Sequence, residues 1–124
     1  MLLRQPAKLL RLHFSEEDQY DGTPLYEALV KKCQALGIGG ITVLRGMEGY
    51  GESAEIHRAR ILAHDQPIIV TVVESAENIE RLMPEIEKMV DTGMIAISNV
   101  EMIRIQGQNN GTTCDRSKPR ISVR

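Results

Sequence analysis

Tryptophan is absent from this 124-residue sequence, and Phe14, Tyr20, Tyr26 and Tyr50 are its only aromatic residues. A chain so poor in ring faces has no stacking platform for single-stranded nucleic acid. Its core has to come from Leu, Ile, Val and Met. Cysteine is scarce as well: Cys33 falls in a helical pattern and Cys114 in a polar tail. Two such isolated thiols make neither a disulfide framework nor a zinc site. No apolar run approaches the ~18 residues that cross a bilayer. The start, Met1-Leu2-Leu3-Arg4-Gln5-Pro6, lacks a long apolar segment and a small-residue cleavage site. A cytoplasmic protein with no direct membrane insertion is therefore expected. Positive charge is short too: residues 1–106 carry a net −5 and residues 107–124 a net +3. An acidic body leaves no electrostatic footprint for duplex DNA, so no nucleic-acid partner is expected. The Gly, Asn, Thr, Ser and Pro content of 107–124 predicts a polar, disordered tail behind a single domain over 7–106.

Within that domain the hydrophobic periods change from two to 3.6 and back. Leu10, Leu12 and Phe14 alternate with Arg11 and His13, which predicts a strand over 8–14. A polar stretch follows, ending in Thr23-Pro24, a capping hydroxyl followed by a first-turn proline. Leu25, Ala28, Leu29, Cys33 and Leu36 then form a helical stripe that Gly37 ends. Gly39 to Arg45 reads as a second strand and Pro67 to Val73 as a third. Ser75 is placed to cap a second helix carrying Ile79, Leu82, Met83, Ile86, Met89 and Val90, with a kink or restart expected at Pro84. Ile95 to Ile105 reads as a last strand, with a bulge near Ser98-Asn99.

Strand, helix, strand, strand, helix, strand is the order of the ferredoxin-like βαββαβ fold. This α+β arrangement has a four-stranded antiparallel sheet with two helices on one face. The third strand is apolar on both sides, as suits a strand covered on both faces. The helices can cover one face, but 124 residues supply nothing for the other. That missing cover predicts self-association.

The connection between the second and third strands, residues 46–64, far exceeds the ~2–5 residues a hairpin needs. Loops of such length commonly carry function. Gly49 and Gly51 flank Tyr50, giving a backbone that a ligand can approach closely. Catalytic readings are weaker. His13, His57 and His64 are the available imidazoles, and no nucleophile–base spacing accompanies them, so no catalytic residue is assigned. His57 and His64 with Glu48, Glu52 and Glu55 lack paired metal-ligand spacing. The Glu16-Glu17-Asp18-Asp21 cluster lacks the spacing of a calcium loop. A small ferredoxin-like trimeric enzyme, or a metal-binding protein, is the alternative class.

Gly40-Ile41-Thr42-Val43 followed by Gly49-Tyr50-Gly51 resembles the signature of the PII proteins, in which a G-x-T-V strand runs into the mobile T-loop. Thr92-Gly93-Met94-Ile95 resembles the loop before their last strand, and Val100 to Ile105 their V-E-x-A-x-R-I-R ending. Within that superfamily the chain is most similar to the PII-like proteins grouped as domain of unknown function 190, whose Gly-Met-x-Gly-Tyr-Gly loop it shares. The resemblance implies a homotrimer that is not an enzyme, requires no cofactor, and senses an adenine nucleotide in clefts between subunits. Thr42 would bond the adenine, Gly49, Tyr50 and Gly51 would line the pocket, Gly93 would allow close backbone approach, and Arg104 would supply positive charge. The long loop would signal to a membrane channel, a transporter or an enzyme. Arg45, His57, Arg58 and Arg60 are candidates for that contact. Two departures stand out: Met94 replaces the family's phosphate-binding lysine, and Gln106 its final arginine.

Overall fold

A computed structural model describes residues 1–50, 56–58 and 66–107, with 48–50 and 56–58 described through their backbone. In chain order the elements are β1 (Leu2–Ser15), β2 (Gln19–Tyr20), β3 (Thr23–Pro24), α1 (Leu25–Ala35) and β4 (Thr42–Arg45). There follow β5 (Glu48–Tyr50), β6 (Ile56–Arg58), β7 (Pro67–Glu74), α2 (Ala76–Met89) and β8 (Met94–Ile105). The principal sheet runs β4-β7-β1-β8, with every neighbouring pair antiparallel. This is the ferredoxin-like sheet with the first and third long strands in the middle.

Alternation decides which side each residue takes. On one face Leu10, Leu12 and Phe14 of β1 meet Ile68, Val70 and Val72 of β7 in register. The apolar stripes of both helices close over them: Leu25, Leu29 and Cys33 from α1, and Ile79, Leu82, Ile86 and Met89 from α2. All of these are 7% exposed or less. Burial pushes the Cys33 thiol up to about 11, which leaves it protonated and inert at neutral pH. Ser75 caps α2 by accepting from the Asn78 N–H at 3.2 Å.

Several local expectations are corrected. β1 begins at Leu2, well before residue 8. Its first residues pair with β8 alone, because the pairing with β7 starts only at Lys8. Pro6 is tolerated there since its nitrogen is not needed by a second neighbour. Thr23 does not cap α1: it pairs with Tyr20 in a small ribbon turned by Asp21 (φ 50) and Gly22 (φ 76), and no side chain caps that helix. The Leu25 N–H donates to the Asp18 carbonyl instead. Asp-Gly supplies the two positive φ angles that such a hairpin turn requires. α2 continues through Pro84 as one helix, so it does not restart there. β8 has no bulge, for its register with β1 is continuous from Met94 to Ile105. Gly37 does end α1's turn at φ 75, as expected.

The other sheet face has no cover within the described residues. It carries Leu44 of β4, Ile69, Thr71 and Val73 of β7, Leu9, Arg11 and His13 of β1, and Met94 and Ala96 of β8. Leu44 is 51%, Val73 38% and Met94 53% exposed. Large apolar side chains clustered on one face in this way mark an interaction surface.

Candidate functional site

The long connection is not a bare loop. β5 and β6 pair as a hairpin, with Gly49 opposite His57, Tyr50 opposite Ile56 and Glu48 opposite Arg58. Gly49 and Tyr50 are thus strand residues, where the sequence reading placed them in a long loop. Gly51 and Arg60 lie outside the described residues, as do His64, Glu52 and Glu55 and the tail from residue 108.

The base of this arm is closely tied. The Gly46 N–H donates to the Pro67 carbonyl at 2.6 Å, and a side-chain carbon at position 46 would lie 2.7 Å from Pro67 Cγ. Only glycine fits that approach. Beside it Arg45 pairs with Glu16, whose side chain is 14% exposed, and the Glu16 N–H donates to the Gln66 carbonyl at 2.8 Å. The sequence reading missed this role of Glu16 because it weighed the acidic cluster only as a calcium loop. Arg45 therefore anchors the arm at its root.

Gly93 sits on the turn between α2 and β8. A side-chain carbon there would lie 2.8 Å from the His13 carbonyl oxygen and 3.1 Å from Val90 Cγ1. The close approach that glycine permits is thus to this chain's own β1. Gly93→Ala is expected to lower stability by roughly 1–3 kcal/mol through overpacking, with urea unfolding as the measurement. Met94, next along, belongs to the row Leu44–Ile69–His13–Met94 on the open face. An apolar side chain suits that row better than an ammonium group.

Thr42 is exposed at the start of β4, opposite Thr71. Arg104 lies near the far end of β8 opposite Leu3, and its Nη2 reaches the neighbourhood of Gly39. A carbon added at Gly39 would stand 3.8 Å from Arg104 Nη2 and 3.7 Å from each carboxylate oxygen of Glu74. Glu74 is 6% exposed and accepts from Asn78 Nδ2 at 3.2 Å. The sequence reading overlooked it, although the signal was present: Glu74 continues the buried alternation Ile68, Val70, Val72. A carboxylate at such a position asks for a reason.

The candidates do not meet within one chain. Gly93 and Arg45 flank the row of Phe14 and Ile68, from opposite edges of the sheet. Arg104 reaches the row of Lys8 and Glu74, six residues further along β7. At ~3.3 Å per residue that is about 20 Å. Among the described residues no group of three or more His, Cys, Asp or Glu could hold a metal ion. No described helix is long and apolar enough to cross a membrane.

Known proteins share this frame. Residues 7–102 match the DUF190 family, described as Uncharacterized ACR. A UPF0166 protein of Aquifex aeolicus is 35% identical over 98 residues, covering 77% of this chain and 92% of the relative. A UPF0166 protein of Methanocaldococcus jannaschii is 32% identical over 101 residues, covering 79% and 93%. Among solved structures, a protein of Thermus thermophilus described as PII-like superposes with a TM-score of 0.60 at 19% identity, covering 80% of this chain and 91% of its own. CPII, a nitrogen regulatory PII-like protein from Thiomonas intermedia, described as bound to ADP, AMP and bicarbonate, gives 0.60 at 15% identity, covering 81% and 98%. The structural likenesses establish the shared fold.

Proposed function

Because the chain belongs to the DUF190 family of PII-like proteins, we propose that it is a cytoplasmic homotrimeric regulator and not an enzyme. In this reading it binds an adenine nucleotide between subunits and signals to a partner protein through the arm over 46–64. One observation carries the proposal. The candidate ligand groups lie at two ends of the sheet, about 20 Å apart, while the apolar face between them has no cover among the described residues. Packing such faces together buries Leu44, Val73 and Met94. It also brings the Arg104 end of one copy toward the Gly93 end of the next. ADP and AMP in the CPII structure support the choice of ligand. With Met94 in the place of a cation, a mono- or diphosphate suits the site better than a triphosphate. The nucleotide is a ligand of the sensor, so no cofactor is required. Arg45, His57, Arg58 and Arg60 supply cationic contacts on or beside the arm for a channel, transporter or enzyme partner.

ADP or AMP is expected to raise the melting temperature of the purified protein, since a ligand that binds only the folded state stabilises it. Arg104→Ala removes a charge-assisted hydrogen bond of roughly 1.5–3 kcal/mol, about ten- to a hundredfold in Kd. A shift of the same size in the variant would remove Arg104 from the site. No shift with any adenine nucleotide would leave the arm as a plain protein-binding element.

A further inference from the structure

The uncovered face of the sheet carries no carboxylate. Alternation places on it residues 42 and 44 of β4, 69, 71 and 73 of β7, the odd-numbered residues of β1 and the even-numbered residues of β8. None of those positions holds Asp or Glu, although residues 1–106 carry a net −5. Positive charge is nevertheless present. Arg11 stands in the middle of the face, in the row Thr42–Thr71–Arg11–Ala96, between the row Leu44–Ile69–His13–Met94 and the row Val73–Leu9–Ser98. Arg4, Lys32, Arg45 and Lys88 each have a carboxylate partner. Among the described residues Arg11 has no ion pair, and it is exposed.

In a single chain, water solvates that guanidinium. Covering the face changes the account. In the trimeric reading above, the cover is the same face of neighbouring copies, so the covering strands bring no carboxylate either. Arg11 cannot escape by losing its proton. A buried charge without a partner is strongly unfavourable, and copies of Arg11 brought together repel one another. The row itself shows what resolves this. Thr71 is the register partner of Arg11, which sets their Cβ atoms roughly 4.5–5.5 Å apart. Its hydroxyl can donate to the same acceptor that the guanidinium reaches. On the other side Arg11 faces only the methyl of Ala96, which leaves room beside it. A guanidinium and a hydroxyl with no acidic neighbour are the donors that an oxyanion takes.

We propose that Arg11 and Thr71 hold a small oxyanion, of the phosphate or sulfate class, between the packed sheet faces. This rests on the trimer in the reading above and adds an anion site separate from the nucleotide's. Arg11 is three residues along β1 from the row of Lys8 and three from that of Phe14, the rows where the candidate nucleotide groups lie. At ~3.3 Å per residue it is about 10 Å from either. The anion accepts from the Arg11 guanidinium and the Thr71 hydroxyl and neutralises the charge. The flanking apolar rows of Leu44 and Val73 can then close against a neighbouring copy. Assembly of the copies is thereby coupled to a free anion.

Light scattering and thermal unfolding of the full-length protein, with and without inorganic phosphate at constant ionic strength, test this. A monomer by light scattering overturns the trimer reading, and the site with it. Given a trimer, millimolar phosphate is expected to raise the melting temperature of wild type by a few degrees. Arg11→Met is expected to abolish that rise, a loss of at least about tenfold in phosphate affinity. The variant is expected to remain a trimer and, without phosphate, to melt no lower than wild type, because an apolar side chain of similar length removes an unpaired charge. Thr71→Val is expected to reduce the phosphate response and leave the trimer intact. A wild-type trimer indifferent to phosphate, an equal rise in wild type and Arg11→Met, or loss of the trimer in Arg11→Met overturns the site while leaving the trimer reading in place. Saturating ADP separates the two sources of phosphate. A rise that persists beside ADP supports the site in mid-face, and a rise that ADP removes assigns the phosphate to the nucleotide cleft and overturns it.

Discussion

If the chain forms the proposed trimer, Leu44→Glu is expected to break it into monomers, read by light scattering as a fall from three times 13.9 kDa to the mass of one chain. Leu44 stands on the uncovered face of the edge strand β4, opposite Ile69, and is 51% exposed in the single chain. A glutamate there is solvated in a lone chain and leaves the core under the helices untouched. In a trimer the same position is covered by a neighbouring copy. An uncompensated buried carboxylate then costs several kcal/mol per subunit, and three copies multiply the penalty. Each 1.4 kcal/mol is about tenfold in the association constant, so dissociation at micromolar concentration follows. Retention of the trimer by Leu44→Glu would show that another surface holds the copies together. Nucleotide binding should vanish with the trimer, because the groups at the two ends of the sheet no longer meet.

Leu82→Ala should cost roughly 2–5 kcal/mol, the range for removing a buried leucine side chain. Leu82 is 1% exposed, on the face of α2 that closes over Leu10, Leu12, Val70 and Val72. A loss of that size is a large part of the ~5–15 kcal/mol by which domains are stable. Because the proposed trimer would add concentration-dependent stability, the cleanest readout is urea unfolding of Leu82→Ala against Leu82 in the Leu44→Glu background. A loss below about 1 kcal/mol would mean that the helix layer is not the core described.

The fold was legible because each long element kept its own hydrophobic period. Leu10, Leu12 and Phe14, the two-sided run after Pro67, and the stripe from Ile79 to Val90 are enough to order the six main elements. The errors fell where tertiary contacts overrode local pattern. Leu2 to Ala7 lay outside the strand expected over 8–14, yet pairing with β8 alone tolerates a proline. Thr23-Pro24 carried a helix-start signal, but the Asp21-Gly22 turn drew both residues into a ribbon. The candidate site was legible only in part. Gly46 and Gly93 owe their identity to close approaches to Pro67 and His13, contacts that no spacing rule connects. Glu74 fell just past the strand expected over 67–73, and its proximity to Gly39 and Arg104 depends on separate segments of the chain meeting.

If two copies of the chain complete one adenine-nucleotide site, crystals of the protein grown with ADP test it most directly. The nucleotide is predicted at a seam between copies, beside Arg104 of one and near the Gly93 turn and Gly49 of its neighbour. A nucleotide held wholly within one chain, or seams filled by side chains with ADP excluded, would contradict it.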